Sequence, residues 1–159
     1  MKQPDNTHLA ELNVATALDE LDSARLADFM AALDKINGIA ERSPGYVWRL
    51  TDEGGDATSI RVSDDPRFIV NLSVWETVEA FEHFVWNTVH RRVYQKRTKW
   101  FEAPKTPNLV MWWIPAGQLP SLEEAMAKLA QLTAEGPSEE AFGWESLENI
   151  QLWKQQRCA

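Results

Sequence analysis

A chain of 159 residues with 44% hydrophobic composition is long enough to bury a core within one domain. Sixteen Lys and Arg against 24 Asp and Glu give a net charge of −8, which argues against a nucleic-acid binder or a basic membrane-surface protein. Cys158 is the only cysteine, so an intramolecular disulfide and cysteine metal clusters are excluded. The N-terminus lacks a basic-then-apolar leader and no apolar run approaches a membrane span, so a soluble cytoplasmic protein is the expectation.

Residues Met1 to Thr7 are polar and expected to be mobile. From His8 to Ala15 the chain alternates, with Ala10, Leu12 and Val14 against Leu9, Glu11 and Asn13, the period of a half-buried strand. Asp22 or Ser23 can cap the next helix. Its apolar stripe is Leu26, Phe29, Met30, Leu33, Ile36 and Ala40, and Ser43-Pro44-Gly45 stops it. Tyr46 to Thr51 is a second strand. A long loop to Pro66 follows, with room for a short extension around Thr58 to Val62.

Arg67 to Trp75 is a third strand. Thr77 caps a long helix to about Phe101, in which Asn87-Thr88, both weak helix formers, mark a kink or break. Asn108 to Pro115 is a fourth strand, nearly all apolar, which suits a position covered on both sides. Ser121 with Glu124 makes a capping box for a helix to about Ala134, ended by Gly136-Pro137. The last twenty residues, from near Ser138, have room for one more short helix.

The order β-α-β-β-α-β with a C-terminal helical extension predicts an α+β, ferredoxin-like split βαβ fold: a four-stranded antiparallel sheet with two main helices on one face. The second face then has no cover of its own and carries large apolar groups. A homodimer pairing two sheets face to face would hide it.

Helical spacing along Val78, Phe81, Phe84 and Val85 continues through His90, Val93, Tyr94, Arg97, Trp100 and Phe101. It sets His90 and Arg97 inward while Arg91, Arg92, Lys96 and Lys99 face out. Inward polar groups need partners, and Glu11, Asn13, Arg49, Asn71 and Ser73 fall on one sheet face by period two. The bland account is a satisfied core network, an Arg97–Glu11 pair with a hydrogen-bonded His90. The functional account is a pocket with a few polar groups among Trp75, Tyr94, Trp112 and Trp113, the usual make-up of a small-molecule site. His90 has the intrinsic pKa for proton transfer near neutrality and can ligate haem iron. His8 and His83 read as surface residues, and Gly54-Gly55 as a turn. No HExxH, CxxC, GxSxG or dinucleotide fingerprint is present.

The segments LAELNVA, SPGYVWRL, GDATSIR, NLSVWETVEAF, VHRRVYQKRTKWFE, LVMWWIPAG and GPSEEAF, in this order from Leu9 to Phe142, together resemble a bacterial family known as domain of unknown function 3291. The resemblance implies the dimeric α+β barrel superfamily, which includes small monooxygenases of antibiotic biosynthesis, haem-degrading monooxygenases and haem enzymes such as chlorite dismutases. The family is also similar to carotenoid oxygenases of the spheroidene monooxygenase type. Residues 1–159 would then form a single barrel domain, with a core spanning about residues 8–135.

Haem-degrading members use an Asn on the first strand, a Trp ending the third and a His on the following helix. Asn13, Trp75 and His90 occupy the corresponding elements, with a Trp-to-His separation longer by about one and a half helical turns. The cofactor-free type instead arranges Trp, Asn and Arg or His around an aromatic substrate that supplies its own electrons to oxygen, roles open to Asn13, Asn71, Trp75 and Arg97. The expected activity is that of a monooxygenase-like enzyme on a hydrophobic or aromatic small molecule, with His90 as proton-transfer residue or haem ligand. A non-catalytic small-molecule-binding or accessory dimer is the alternative.

Overall fold

β1 (Thr7–Thr16) lies inside the sheet in the computed structural model of the chain, which describes residues 1–52, 54–148 and 150–152, and it is buried on both faces from Leu9 to Leu12 rather than half-buried. The other strands are β2 (Tyr46–Arg49), β3 (Phe68–Trp75) and β4 (Leu109–Pro115). The sheet order is β2-β3-β1-β4 with every neighbour antiparallel, the ferredoxin-like arrangement that the element order predicts. The register sets Trp75, Leu9 and Trp113 in one row, Ser73, Glu11 and Met111 in the next, and Asn71, Asn13 and Leu109 in a third. Residues directly opposite share a face, so these three rows lie on one side of the sheet.

Helices α1 (Ala27–Glu41) and α2 (Val78–Asn87) pack on that side. α1 starts later than the sequence suggests. Its N-cap position is Leu26, with no side-chain cap, because residues 21–26 are spent in turns. At its end Gly45 takes φ +78, a left-handed conformation that glycine adopts without a Cβ clash. The extension expected around Thr58 to Val62 is turn and bend, yet Ile60 and Val62 still pack on the core.

The expected long helix is three pieces. Thr77 caps α2 by accepting from Ala80 N–H at 3.1 Å. α2 ends at Asn87, and Thr88 is extended at φ −119, ψ −174. α3 (His90–Gln95) follows, then a 3-10 turn over Arg97–Lys99.

α4 (Leu122–Glu135) begins where Ser121 Oγ accepts from Glu124 N–H at 3.0 Å. It corrects the expectation of a bare second face. Ala125, Leu129 and Leu132 of α4 pack with Ala10, Leu12, Val110, Trp112 and Ile114, so the chain covers this face itself beside β1 and β4.

The N-terminus and the described part of the C-terminal segment are tied in. The Met1 ammonium donates to Ser146 O and to Glu148 at 2.8 Å, where a mobile end was expected. Phe142 bridges to Met111, and Phe142, Trp144, Leu147 and Ile150 join the core, which therefore runs past residue 135. In the stretch where one more short helix was expected, the described residues hold a 3-10 turn at Trp144–Ser146, and the rest of that expectation, residues 153–159 with Cys158, lies outside the described residues. Among the described residues no helix is long and apolar enough to cross a membrane.

Candidate functional site

On the face under α1 and α2, two apolar clusters leave a polar strip between them. One joins Leu9 and Trp75 to Phe81, Phe84 and Val85 of α2 and to Phe142 and Trp144. The other joins Ala17 and Ile69 to Leu26, Phe29, Val93 and Trp100. The two rows between them hold Glu11 with Ser73, and Asn13 with Asn71. Asn71 is exposed although it sits on an inner strand, Asn13 is half-buried, and Ser73 and Glu11 are buried. The strip therefore descends from solvent to a buried carboxyl within one register step.

Glu11 is the chemical centre of the strip. It is 3% exposed, and burial pushes its carboxyl up to about 8, against the opposing pull of a hydrogen bond from Ser73. Ser73 Oγ donates to Glu11 Oε1 and accepts from Trp75 Nε1–H at 2.9 Å. Arg49 is the register partner of Ser73 on β2, and by position it is the cation that could neutralise Glu11. It is engaged elsewhere, with Glu41 at 2.8 Å and Gly55 O at 2.7 Å. The carboxyl is thus hydrogen-bonded while lacking an ion-pair partner among the described residues, which favours its neutral form. Asn13 Nδ2 donates to Asn108 O at 3.1 Å, which leaves its own carbonyl oxygen as an acceptor.

The structure brings together Asn13, Asn71 and Trp75 of the predicted residues. His90 lies beside them, half-buried at the start of α3. Its ring is 5.0 Å from that of Phe84, and Phe84 is 5.0 Å from Trp75. His90 Nδ1 is 3.2 Å from Val85 O, a carbonyl that can only accept, so Nδ1 carries the proton and Nε2 is the lone-pair nitrogen. Burial lowers its pKa below 6.5, so the ring is neutral at pH 7.

Four predicted residues lie elsewhere. Arg97 is exposed in the 3-10 turn, with its guanidinium 4.1 Å from the ring centre of Tyr94 and donating to Tyr94 O. Tyr94 is 39% exposed and meets Trp86 edge-on. The break at Thr88 explains both, because a helical phase counted from Val78 does not carry past an extended residue. Trp112 belongs to the opposite sheet face, where its Nε1–H donates to Glu124 at 3.0 Å. Trp113 shares the face of the site but is taken up by Phe142 at 5.0 Å. His8 is half-buried with Nδ1 lacking a partner, rather than a surface residue, while His83 is exposed as expected.

The residues do not fit a haem plane held by His90 with Trp75 as its neighbour. Trp75 has no exposed surface, its N–H is committed to Ser73, and Phe84 packs against both rings. Among the described residues no group of three or more His, Cys, Asp or Glu could hold a metal ion.

In the sequence Glu11 and Ser73 stand out only as polar residues at inward strand positions, candidate partners for His90 and Arg97. The signal that singles them out is the register pairing of two inward polar residues on adjacent strands, which needs the sheet order.

In fold, the chain is similar to several solved structures. A protein of unknown function from Nitrosomonas europaea is 17% identical, with 74% of this chain and 99% of that one covered at a TM-score of 0.49. SnoaB, a cofactor-independent oxygenase from Streptomyces nogalater, is 17% identical, with 72% and 98% covered at 0.47. PA3566 from Pseudomonas aeruginosa is 14% identical, with 72% and 96% covered at 0.45. No curated protein sequence matches the chain. The model of the family described as Domain of unknown function (DUF3291) matches residues 8–158, and the chain belongs to that family.

Proposed function

We propose that the chain is an oxygenase acting on an aromatic small molecule that itself supplies the electrons for dioxygen, with Glu11 as the proton acceptor. The observation that carries this reading is the carboxyl of Glu11, buried one register step inside the exposed Asn71 and with its pKa raised to about 8. A carboxylate with a pKa near the working pH is a far stronger base than an ordinary one, and a desolvated site keeps it so.

The substrate class is a fused aromatic ketone with an acidic methylene. Glu11 in its ionised form, which gains population as pH approaches about 8, takes a methylene proton. The resulting enolate gives its electron pair to dioxygen, a C–O bond forms, and the O–O bond breaks as the second methylene hydrogen is lost. One oxygen becomes the new carbonyl and the other leaves as water. Asn13 and Asn71 would hold the oxygens of the substrate, and Ser73, itself fixed by the buried indole of Trp75, would hold Glu11 in place. Neutral His90, with Nε2 as acceptor, would serve as a second proton-transfer group. Arg97, Tyr94 and Trp112 take no part in this reading.

A homodimer belongs to the proposal. α4 lies over β1 and β4, while the β2 side of that sheet face carries half-buried Val47, Trp48, Leu50 and Phe68, an apolar margin that a second copy would cover. Sedimentation at micromolar concentration tests it, and a monomer would remove this part.

A non-catalytic binder of the same ligands is the rival reading, favoured by the Trp75–Ser73–Glu11 chain being complete without any ligand. Oxygen uptake with anthrone as the probe separates the two. The enzyme consumes one dioxygen per anthraquinone formed, and Glu11→Gln lowers the rate by about a hundredfold or more. A binder quenches tryptophan fluorescence saturably with anthrone and gives no uptake above the buffer rate.

A further inference from the structure

We propose that the hollow beside the α2–α3 break is a second ligand site, binding the phosphate group of a small molecule through Arg91 and Arg92 against a wall formed by Trp86. It is independent of the oxygenase reading and involves none of the residues of the Glu11 strip.

The charge distribution singles this place out. The chain carries a net charge of −8, yet Arg91, Arg92, Lys96, Arg97 and Lys99 fall within nine residues, and no Asp or Glu lies between Glu82 and Glu102. A helix face that is merely solvated normally interleaves both signs. Of the arginines here, Arg97 is occupied by Tyr94. Arg91 and Arg92 make neither ion pair nor side-chain hydrogen bond with any described residue.

These two free guanidinium groups line one open hollow of about 360 Å³ together with Trp86, Asn87, Thr88 and Gln95. Asn87 and Thr88 stand at the end of α2 and Arg91, Arg92 and Gln95 on α3, so the break between the two helices brings both sets of side chains to one hollow. Trp86 is 7% exposed and held by the edge contact with Tyr94 at 5.1 Å, which makes it a fixed wall. Its buried indole N–H has no acceptor among the described residues, an unusual state for a buried donor.

The donor set identifies the ligand chemistry. Two guanidinium forks and the amides of Asn87 and Gln95 offer more N–H groups than the two oxygens of one carboxylate can accept. A phosphate monoester or diphosphate has the oxygens and the second negative charge. The carbonyl end of α2 works against an anion here, so binding must come from the side chains, and guanidinium suits phosphate better than ammonium does. The volume fits a phosphate with a modest organic group attached.

Isothermal titration of the full-length protein with inorganic pyrophosphate, at ionic strength held constant with sodium chloride, tests the site. The expected result is one saturable site of sub-millimolar affinity, weakened about tenfold or more in Arg91→Gln/Arg92→Gln. Lys128→Gln, on α4 across the sheet, leaves it unchanged. Arg91 and Arg92 are exposed, so the double variant folds, which circular dichroism checks. Absence of saturable heat up to about 10 mM, or equal binding by the double variant, overturns the proposal.

Discussion

Trp75 and Ser73 project from the same face of β3, and the indole N–H of Trp75 donates to Ser73 Oγ at 2.9 Å. This contact settles which way the hydroxyl proton points. With Oγ accepting from the indole, its own hydrogen is free to reach Glu11, and it does. Trp75 thus acts on the carboxyl through one intervening oxygen, and the largest side chain of the inner strands doubles as the support of the most perturbed acid.

The pH dependence of stability should carry the mark of Glu11. Its pKa stands at about 8 in the folded chain against 4.5 as the ordinary value. The folded state therefore holds a proton that the unfolded state has released. The sign follows: the favourable contribution is complete below about 4.5 and is lost as pH rises through about 8. Urea unfolding of Glu11→Gln and the parent chain at about pH 5 and about pH 9 should show the parent losing a few kcal/mol relative to the variant. Parallel curves would show that the carboxyl is ionised in the fold.

Ser73→Ala removes one group and strands two. The indole N–H of Trp75 loses its acceptor and Glu11 loses its donor, both buried. A destabilisation of about 2–4 kcal/mol is expected by chemical denaturation, more than a single hydrogen bond is worth. The hydrogen bond from Ser73 lowers the Glu11 pKa, so its loss should raise the midpoint of any Glu11-dependent rate above that of the parent.

Phe84→Ala probes the packing that excludes haem. The ring contacts Trp75 and His90 and is 6% exposed, so its removal should cost about 3–5 kcal/mol. In haem titrations followed by absorption, the parent chain and His90→Ala should behave alike. A Soret band present in the parent and lost in His90→Ala would show that the core opens far enough to admit the macrocycle.

Arg97→Ala separates the periodicity argument from the observed helix. An inward arginine would leave a large defect. The exposed Arg97 stacked on exposed Tyr94 should cost no more than about 0.5 kcal/mol in thermal unfolding. Oxygen uptake in the presence of anthrone should be unchanged.

Much of the architecture was legible because strand period and capping chemistry are local. The alternation of Leu9, Glu11 and Asn13 against Ala10, Leu12 and Val14, Thr77 before α2, Ser121 before α4 and the stop at Gly45 all express backbone geometry within a few residues. Asn13, Asn71 and Trp75 could be placed on one face for the same reason. Arg97 and Tyr94 could not, because one extended residue at Thr88 resets the helical phase, and propensity marks such a break without setting the angle at which the chain resumes. Trp112 was assigned to the site on its aromatic character, while its side of β4 was decided by pairing with Ala10.

The sequence by itself therefore determined the element order, the ferredoxin-like sheet and the net negative charge, since these follow from periodicity, caps and composition. Only the tertiary structure decided that α4 closes the second face, that Arg49 is held by Glu41, and that Glu11 is left buried beside Ser73. The cost of burying a carboxyl depends on every neighbour within a few ångströms, and for Glu11 those neighbours, Ser73 on β3 and Met111 on β4, come from strands far apart in the chain.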